Sequence, residues 1–383
     1  MALRNLRGYA SLDLTLGPGP QLIWGPNAAG KTTLLEAIVM LALGRSHRTG
    51  ADAELVRWGT DYLRVEGVVA ATTGVFEGAG GAVAEAERRD GVTLDVTLQA
   101  GRKRIQVNGV PRRPAALAEH LRTVLFAPEE MLLVMGPPTL RRAALDQLAA
   151  PHDPMYGSHL ATYTRALAQR NSVLRQIREG QADRVSLRYW DEPFLASGAA
   201  IVAARLRLLD LIAEPLAAAH REIAPEEGPL ALAYSTNAPP LPGESARQAL
   251  TRRLAETAEK EEWNGTTLVG PHRDDVVFSS GGRDLTTFAS RGQQRTAILA
   301  LKLAELDLLT ALDGRPPLLL LDDVFSELDP VRRSHLVRRI AELPQALVTT
   351  TVPEDLDPDL RRRARAWRVV AGEAGARVEE AGA

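Results

Sequence analysis

The chain has 383 residues, 45% of them hydrophobic, a formal net charge of −2 and no cysteine. That length and apolar content suffice for one large or two modest cores, and the lack of cysteine excludes a disulfide framework and any thiol-ligated metal. Near-neutrality excludes a broadly basic nucleic-acid binder, so any such surface must be local or assembled by association.

Met1 to Arg7 lacks the apolar segment of a signal peptide, and no apolar run approaches the ~18 residues of a membrane span. With the absence of cysteine, this sets the expectation of a soluble, cytoplasmic protein without a membrane partner. Gln21 to Trp24 is a short apolar strand, and Thr33 to Leu43 is an apolar helix stopped by Gly44. Between them Gly25-Pro26-Asn27-Ala28-Ala29-Gly30-Lys31-Thr32 fits the phosphate-loop pattern G-x-x-x-x-G-K-[ST]. In a strand, glycine turn and helix, backbone N–H groups and the positive helix end surround a β-phosphate. Lys31 reaches the β- and γ-phosphate oxygens, and the Thr32 hydroxyl ligates Mg²⁺. Gly25, Asn27, Gly30, Lys31, Thr32 and Thr33 are the nucleotide-binding candidates of this half, with Lys31 also a catalytic candidate.

Residues from about Val65 to Val110 alternate as strands around turn signals at Gly101 and Asn108-Gly109, the pattern of an antiparallel sheet. Arg102, Lys103, Arg104, Arg112 and Arg113 sit on its hairpin and are the DNA-binding candidates; Arg45 with Arg48 and Arg141 with Arg142 are further basic pairs. Clustered arginine also serves as an ordinary solvated face. From roughly Pro137 to Trp263 the period becomes helical. Leu160, Tyr163, Leu167, Leu174 and Ile177 recur at three-and-four spacing with Arg170 interrupting, and Leu195 to Ile223 supplies a long partner. His152 and His159 are separated by Pro154 and Gly157, so no metal pair is expected from them.

Ser290-Arg291-Gly292-Gln293 opens another apolar helix, whose N-terminus attracts anions; Ser290 would also serve there simply as a cap. The leucine run Leu318 to Leu321, bounded by Pro316-Pro317, reads as a central parallel strand, and ligands bind at the C-terminal end of such strands. Asp322 is then the Mg²⁺-side carboxylate and Asp323 the group that polarises an attacking water, unless the two only cap the next helix.

A Ser-x-Gly-Gln signature upstream of an apolar strand ending in Asp resembles the ABC-type ATPases. In that class the signature closes on the γ-phosphate held by a second protomer. The resemblance therefore implies an ATP-sandwiched homodimer, with Ser290, Gly292 and Gln293 as nucleotide-binding residues in trans. The chain is similar, nearly end to end, to the RecF family of bacterial DNA-repair ATPases. The matching segments include Leu34 to Ile38, Gly44 to Arg48, Phe126 to Glu130, Gly136 to Arg142, Gln169 to Asn171, Gly270 to Asp275, Ser290 to Thr296 and Asp322 to Asp329.

This resemblance implies an α/β fold: a P-loop ABC-type ATPase head with an antiparallel β subdomain, from residues 1–136 and 264–383, and an inserted, mainly α-helical lobe at 137–263. It implies ATP and Mg²⁺ as cofactors and ATP-dependent binding at DNA gaps or single-strand/double-strand junctions. It also implies cooperation with RecR, and through it RecO, in loading RecA, in support of DNA replication and the SOS response. Three positions depart from the family or class pattern. Ala28 replaces a glycine of the usual phosphate loop, Asp323 stands where transporters carry Glu, and Thr349 to Thr351 stand where they carry a switch His. A weak, DNA-stimulated ATPase using ATP as a timed clamp is expected, with Glu129 or Glu130 in place of the Q-loop glutamine. A transporter subunit would need a gap shorter than the 265 positions from Gly25 to Ser290, and a kinase or GTPase would leave Ser290 to Gln293 unexplained.

Overall fold

The computed structural model describes residues 1–70, 91–150, 153–372 and 375–381; part of the expected antiparallel sheet, at 71–90, and His152 lie outside the described residues. Its strands are β1 (Ala2–Leu6), β2 (Tyr9–Asp13), β3 (Gly19–Trp24), β4 (Tyr62–Val69), β5 (Val92–Gln99), β6 (Arg102–Val107), β7 (Val110–Pro111), β8 (Thr123–Phe126), β9 (Leu230–Ser235), β10 (Asp275–Ser280), β11 (Arg283–Asp284), β12 (Leu318–Asp322), β13 (Gln345–Thr350), β14 (Arg365–Val370) and β15 (Arg377–Ala381). The chain divides into two compact units, Met1–Glu130 with Leu306–Ala383, and Met131–Glu305.

The first unit holds two six-stranded sheets. One, in the order β2-β1-β4-β5-β6-β7, is antiparallel throughout. Its hairpins turn at Ala100-Gly101 and Asn108-Gly109, where both residues of each pair have positive φ. Consecutive left-handed residues are what a tight primed turn requires. The other sheet runs β15-β14-β3-β13-β12-β8 and is parallel from β14 to β8, with β15 antiparallel at its edge. Leu319 to Leu321 of β12 are buried, as expected of a central parallel strand covered on both faces.

The helix Lys31–Leu43 touches strands of both sheets, and nearly all its residues are buried. A helix apolar on every side is stable only when enclosed in this way. Leu34 and Ile38 pack with Leu3, Leu63 and Val96 of the antiparallel sheet and with Ile23, Leu320 and Leu347 of the parallel one. Each such fully buried leucine contributes roughly 1.5–3 kcal/mol of transfer free energy.

The second unit contains the helices Pro138–Ala149, Tyr156–Arg178, Arg188–Ile223 and Ala246–Asn264 and the antiparallel sheet β11-β10-β9. This unit extends on both sides beyond the helical segment expected at 137–263. Residues 264–305 group with the helices because β10 pairs along its length with β9, and because Arg141 grips Asp275 through Nε at 2.7 Å and Nη2 at 2.8 Å. Arg170 does not interrupt the apolar face of its helix. It is buried in that face, bonded to Asp191 at 2.8 Å, Glu261 at 2.7 Å and Thr267 at 2.9 Å, with its guanidinium over the Phe194 ring. Among the described residues no helix is long and apolar enough to cross a membrane.

Candidate nucleotide site

Strand β3 ends at Trp24 and is followed by Gly25, where a Cβ would collide with the Val369 carbonyl oxygen. The loop turns through Ala28 at φ 63° and reaches Gly30, at φ 115°, which begins the helix Lys31–Leu43. Ala28 therefore does adopt the left-handed backbone that glycine supplies more readily. Gly30 is held by Tyr9, whose hydroxyl donates to the Gly30 carbonyl at 3.1 Å. The Lys31 ammonium turns back onto the loop, donating to the carbonyls of Gly25 at 2.9 Å and Pro26 at 3.1 Å. Burial pushes its pKa down, opposed by the carboxylates of Asp323 and Asp322.

The parallel sheet supplies the acidic half. Asp322 closes β12, and the Thr32 hydroxyl donates to its Oδ2 at 2.8 Å. The register of β12 and β13 sets Asp322 opposite Thr349, whose hydroxyl donates to Asp322 Oδ1 at 2.6 Å. Asp323 follows at φ 51°, its N–H donating to the Thr349 carbonyl at 3.2 Å and hydroxyl at 3.0 Å. Thr349, at the expected switch position, is thus a fully buried support for both aspartates.

These groups line a cavity of about 670 Å³, within the size range of small-molecule sites. Asn27, Gly30, Lys31, Thr32, Thr33, Asp322 and Asp323 all lie on its wall; Gly25 sits behind it, its carbonyl holding Lys31. Of the two glutamates at the Q-loop position, Glu129 lines the cavity. Three arginines were not anticipated as part of this wall: Arg7, Arg48 and Arg57. Arg7 lies at the β1–β2 turn with φ 46°, and Arg57 donates to the Gly8 carbonyl at 2.8 Å. The motif Gly44 to Arg48 pointed to this neighbourhood; nothing in the local pattern singled out Arg7 or Arg57. A hydroxyl and a carboxylate 2.8 Å apart, with a second carboxylate beside them, fit Mg²⁺, which takes one or two carboxylates and completes its shell from phosphates and water.

Ser290, Gly292 and Gln293 belong to the second unit, at the start of the helix Arg291–Asp313. Ser290 is exposed and caps that helix reciprocally: Gln293 N–H donates to Ser290 Oγ at 3.3 Å, and Ser290 N–H to Gln293 Oε1 at 3.0 Å. All five basic DNA candidates are exposed, but they do not form one face. Arg102 and Arg104 share one side of β6, whereas Lys103 points to the other and pairs with Asp52 at 2.7 Å. Arg112 and Arg113 follow the short β7. Arg141 and Arg142 are committed within the second unit, to Asp275 and to the Asp274 carbonyl.

A phosphate loop, an aspartate-terminated parallel strand and a capped Ser-x-Gly-Gln helix define an ABC-type ATPase head. Residues 1–358 match the RecF/RecN/SMC N terminal domain family. The DNA replication and repair protein RecF of Symbiobacterium thermophilum is 40% identical over 361 residues, spanning 93% of this chain and 92% of that protein. RecF of Roseiflexus castenholzii is 39% identical, spanning 97% and 98%. A solved structure of the recombination mediator protein RecF with ATP, in the RecFOR pathway, superposes with a TM-score of 0.86 at 30% identity, covering 100% of this chain and 96% of that one. The Smc head domain of Pyrococcus furiosus shares the fold alone, with a TM-score of 0.54 at 14% identity. The chain belongs to the RecF family.

Proposed function

We propose that this protein is an ATP-dependent DNA-binding protein of recombinational repair, acting at DNA gaps or single-strand/double-strand junctions. The observation that carries the reading is the cavity in which the Thr32 hydroxyl and Asp322 carboxylate meet beside Lys31, in a chain 40% identical to a DNA replication and repair protein. Gly25, Asn27, Gly30, Lys31, Thr32 and Thr33 bind the ATP phosphates. Mg²⁺ held by Thr32 and Asp322 would neutralise phosphate charge. Asp323 accepts a hydrogen bond from the attacking water. Ser290, Gly292 and Gln293 present a helix N-terminus to the γ-phosphate bound by a second copy, so that the closed state is an ATP-sandwiched dimer.

Hydrolysis is slow and DNA-stimulated, because Asp323 is a short base on a backbone already fixed by Thr349. Its consequence is release of the dimer from DNA, not mechanical work. RecR is the direct partner, with RecO and RecA reached through it, in support of DNA replication and the SOS response. Arg102, Arg104, Arg112 and Arg113 offer a local phosphate-binding surface that the net charge of −2 does not otherwise provide. The ATPase head comprises residues 1–136 and 264–383, including the signature, and the inserted helical lobe residues 137–263.

The test is fluorescence anisotropy of a labelled gapped duplex titrated with the protein, with and without ATP and Mg²⁺. Binding that requires ATP and rises more steeply than first order in protein is expected. Binding absent under both conditions would remove autonomous DNA recognition from the proposal.

A further inference from the structure

Glu36 is fully buried in the helix that follows the phosphate loop, yet its carboxyl group faces two arginines that line the nucleotide cavity. Arg7 binds it through both Nε, at 2.5 Å, and Nη2, at 2.7 Å. Ser46 donates to Oε1 at 2.5 Å, and Arg48 Nη1 lies 3.7 Å from Oε2. Ser46 Oγ in turn accepts the backbone N–H groups of Arg48 at 2.9 Å and Thr49 at 3.2 Å. One carboxylate therefore fixes the orientation of Arg7 directly and that of Arg48 through both its charge and the Ser46 turn. An isolated buried carboxylate is strongly unfavourable, and an apolar residue would fill this enclosed helix position at no such penalty. Two guanidiniums against one carboxylate leave one net positive charge directed to the cavity, where a polyphosphate is the complementary ligand.

We propose that Glu36 is a positioning residue for nucleotide binding: it holds Arg7 and Arg48 in place to meet the phosphates of a nucleoside triphosphate. The inference rests on the ATP reading of the cavity. It predicts a sign opposite to simple electrostatics. Removing a negative charge near a polyanion site tightens binding if the charge is a bystander, whereas removing the group that orients two arginines weakens it.

The experiment compares wild-type protein, Glu36→Gln and Glu36→Asp for binding of a fluorescent N-methylanthraniloyl ATP with Mg²⁺, alongside thermal unfolding. Glu36→Gln is expected to raise Kd about tenfold, the scale seen when groups that orient binding residues are removed. Glu36→Asp, which keeps the charge, recovers part of that loss. In steady-state hydrolysis the Glu36→Gln defect appears in KM, with kcat retained. A Kd that is unchanged or lower in folded Glu36→Gln overturns the inference, whatever the change in Tm. If Glu36→Gln does not fold, Ser46→Ala decides: a raised Kd supports the inference, and an unchanged Kd overturns it. No binding by wild-type protein overturns the ATP reading and this inference with it.

Discussion

The Thr32 hydroxyl donates a 2.8 Å hydrogen bond to Asp322 Oδ2 across 290 positions of sequence. The contact joins the helix after the phosphate loop to the end of the central parallel strand, and Thr349 anchors the other oxygen of the same carboxylate at 2.6 Å. Asp322→Asn should therefore abolish Mg²⁺-dependent hydrolysis. Thr349→Val, which keeps the strand's shape but removes the hydroxyl orienting that carboxylate, should raise the half-saturating Mg²⁺ concentration by about 10- to 100-fold. A Mg²⁺ titration of ATP turnover in the two variants checks this; an unaltered midpoint in Thr349→Val would remove Thr349 from the metal's support.

Ala28 holds φ at 63° inside the phosphate loop. A left-handed L-residue costs roughly 1–2 kcal/mol, whereas glycine loses roughly 0.5–1 kcal/mol to its freer unfolded chain. The first effect wins. Ala28→Gly is expected to raise stability by up to about 1 kcal/mol, with ATP binding retained by both forms. Urea unfolding of wild-type and variant protein measures the difference; a variant less stable by more than about 1 kcal/mol would mean that the loop has relaxed around the alanine methyl group.

The Tyr163 hydroxyl lies 2.6 Å from His272 Nδ1 inside the second unit, and burial lowers the His272 pKa to about 4. The cationic neighbours Arg273, Arg142 and Arg170 act in the same direction, and the Thr267 carbonyl opposes them. The unfolded chain, with an ordinary histidine near 6.5, binds a proton first as pH falls. The neutral imidazole thus contributes stability that is intact above pH 6.5 and is lost progressively down to about pH 4. Chemical denaturation at a series of pH values should show a steeper loss in wild-type protein over that interval than in His272→Gln. Parallel pH profiles would show that His272 does not titrate differently in the two states.

The phosphate loop, Asp322 and the signature were legible because each is a local pattern tied to a backbone requirement: a left-handed turn, a strand end, a helix cap. The hairpins at Ala100-Gly101 and Asn108-Gly109 were legible for the same reason. What escaped depends on pairing between distant segments. The grouping of residues 264–305 with the helices was not legible because Leu230–Ser235 finds its partner in Asp275–Ser280, beyond the helix Ala246–Asn264. Arg170 looked like a break in an apolar stripe because its counter-charges, Asp191 and Glu261, lie on other helices. Arg7 carries no signal of its own until the fold brings it to Glu36, 29 positions away.

Ser290 offers the sharpest test of the dimer. Its hydroxyl caps the helix Arg291–Asp313 by accepting from Gln293 N–H, a role that Ser290→Ala removes at a cost of about 1 kcal/mol. Ser290→Arg loses the same cap and adds a bulky, charged side chain at an exposed helix start. If capping were the whole function, the two variants would have similar effects on stability and neither would change self-association. If the helix end closes on a nucleotide held by a second copy, Ser290→Arg blocks that approach sterically while leaving the phosphate loop untouched. ATP binding should then remain within about twofold of wild type, and the ATP-dependent dimer seen by sedimentation velocity should be lost in Ser290→Arg but only weakened in Ser290→Ala. Retention of the ATP-dependent dimer in folded Ser290→Arg would rule out the sandwich arrangement, and the signature would then be a cap alone.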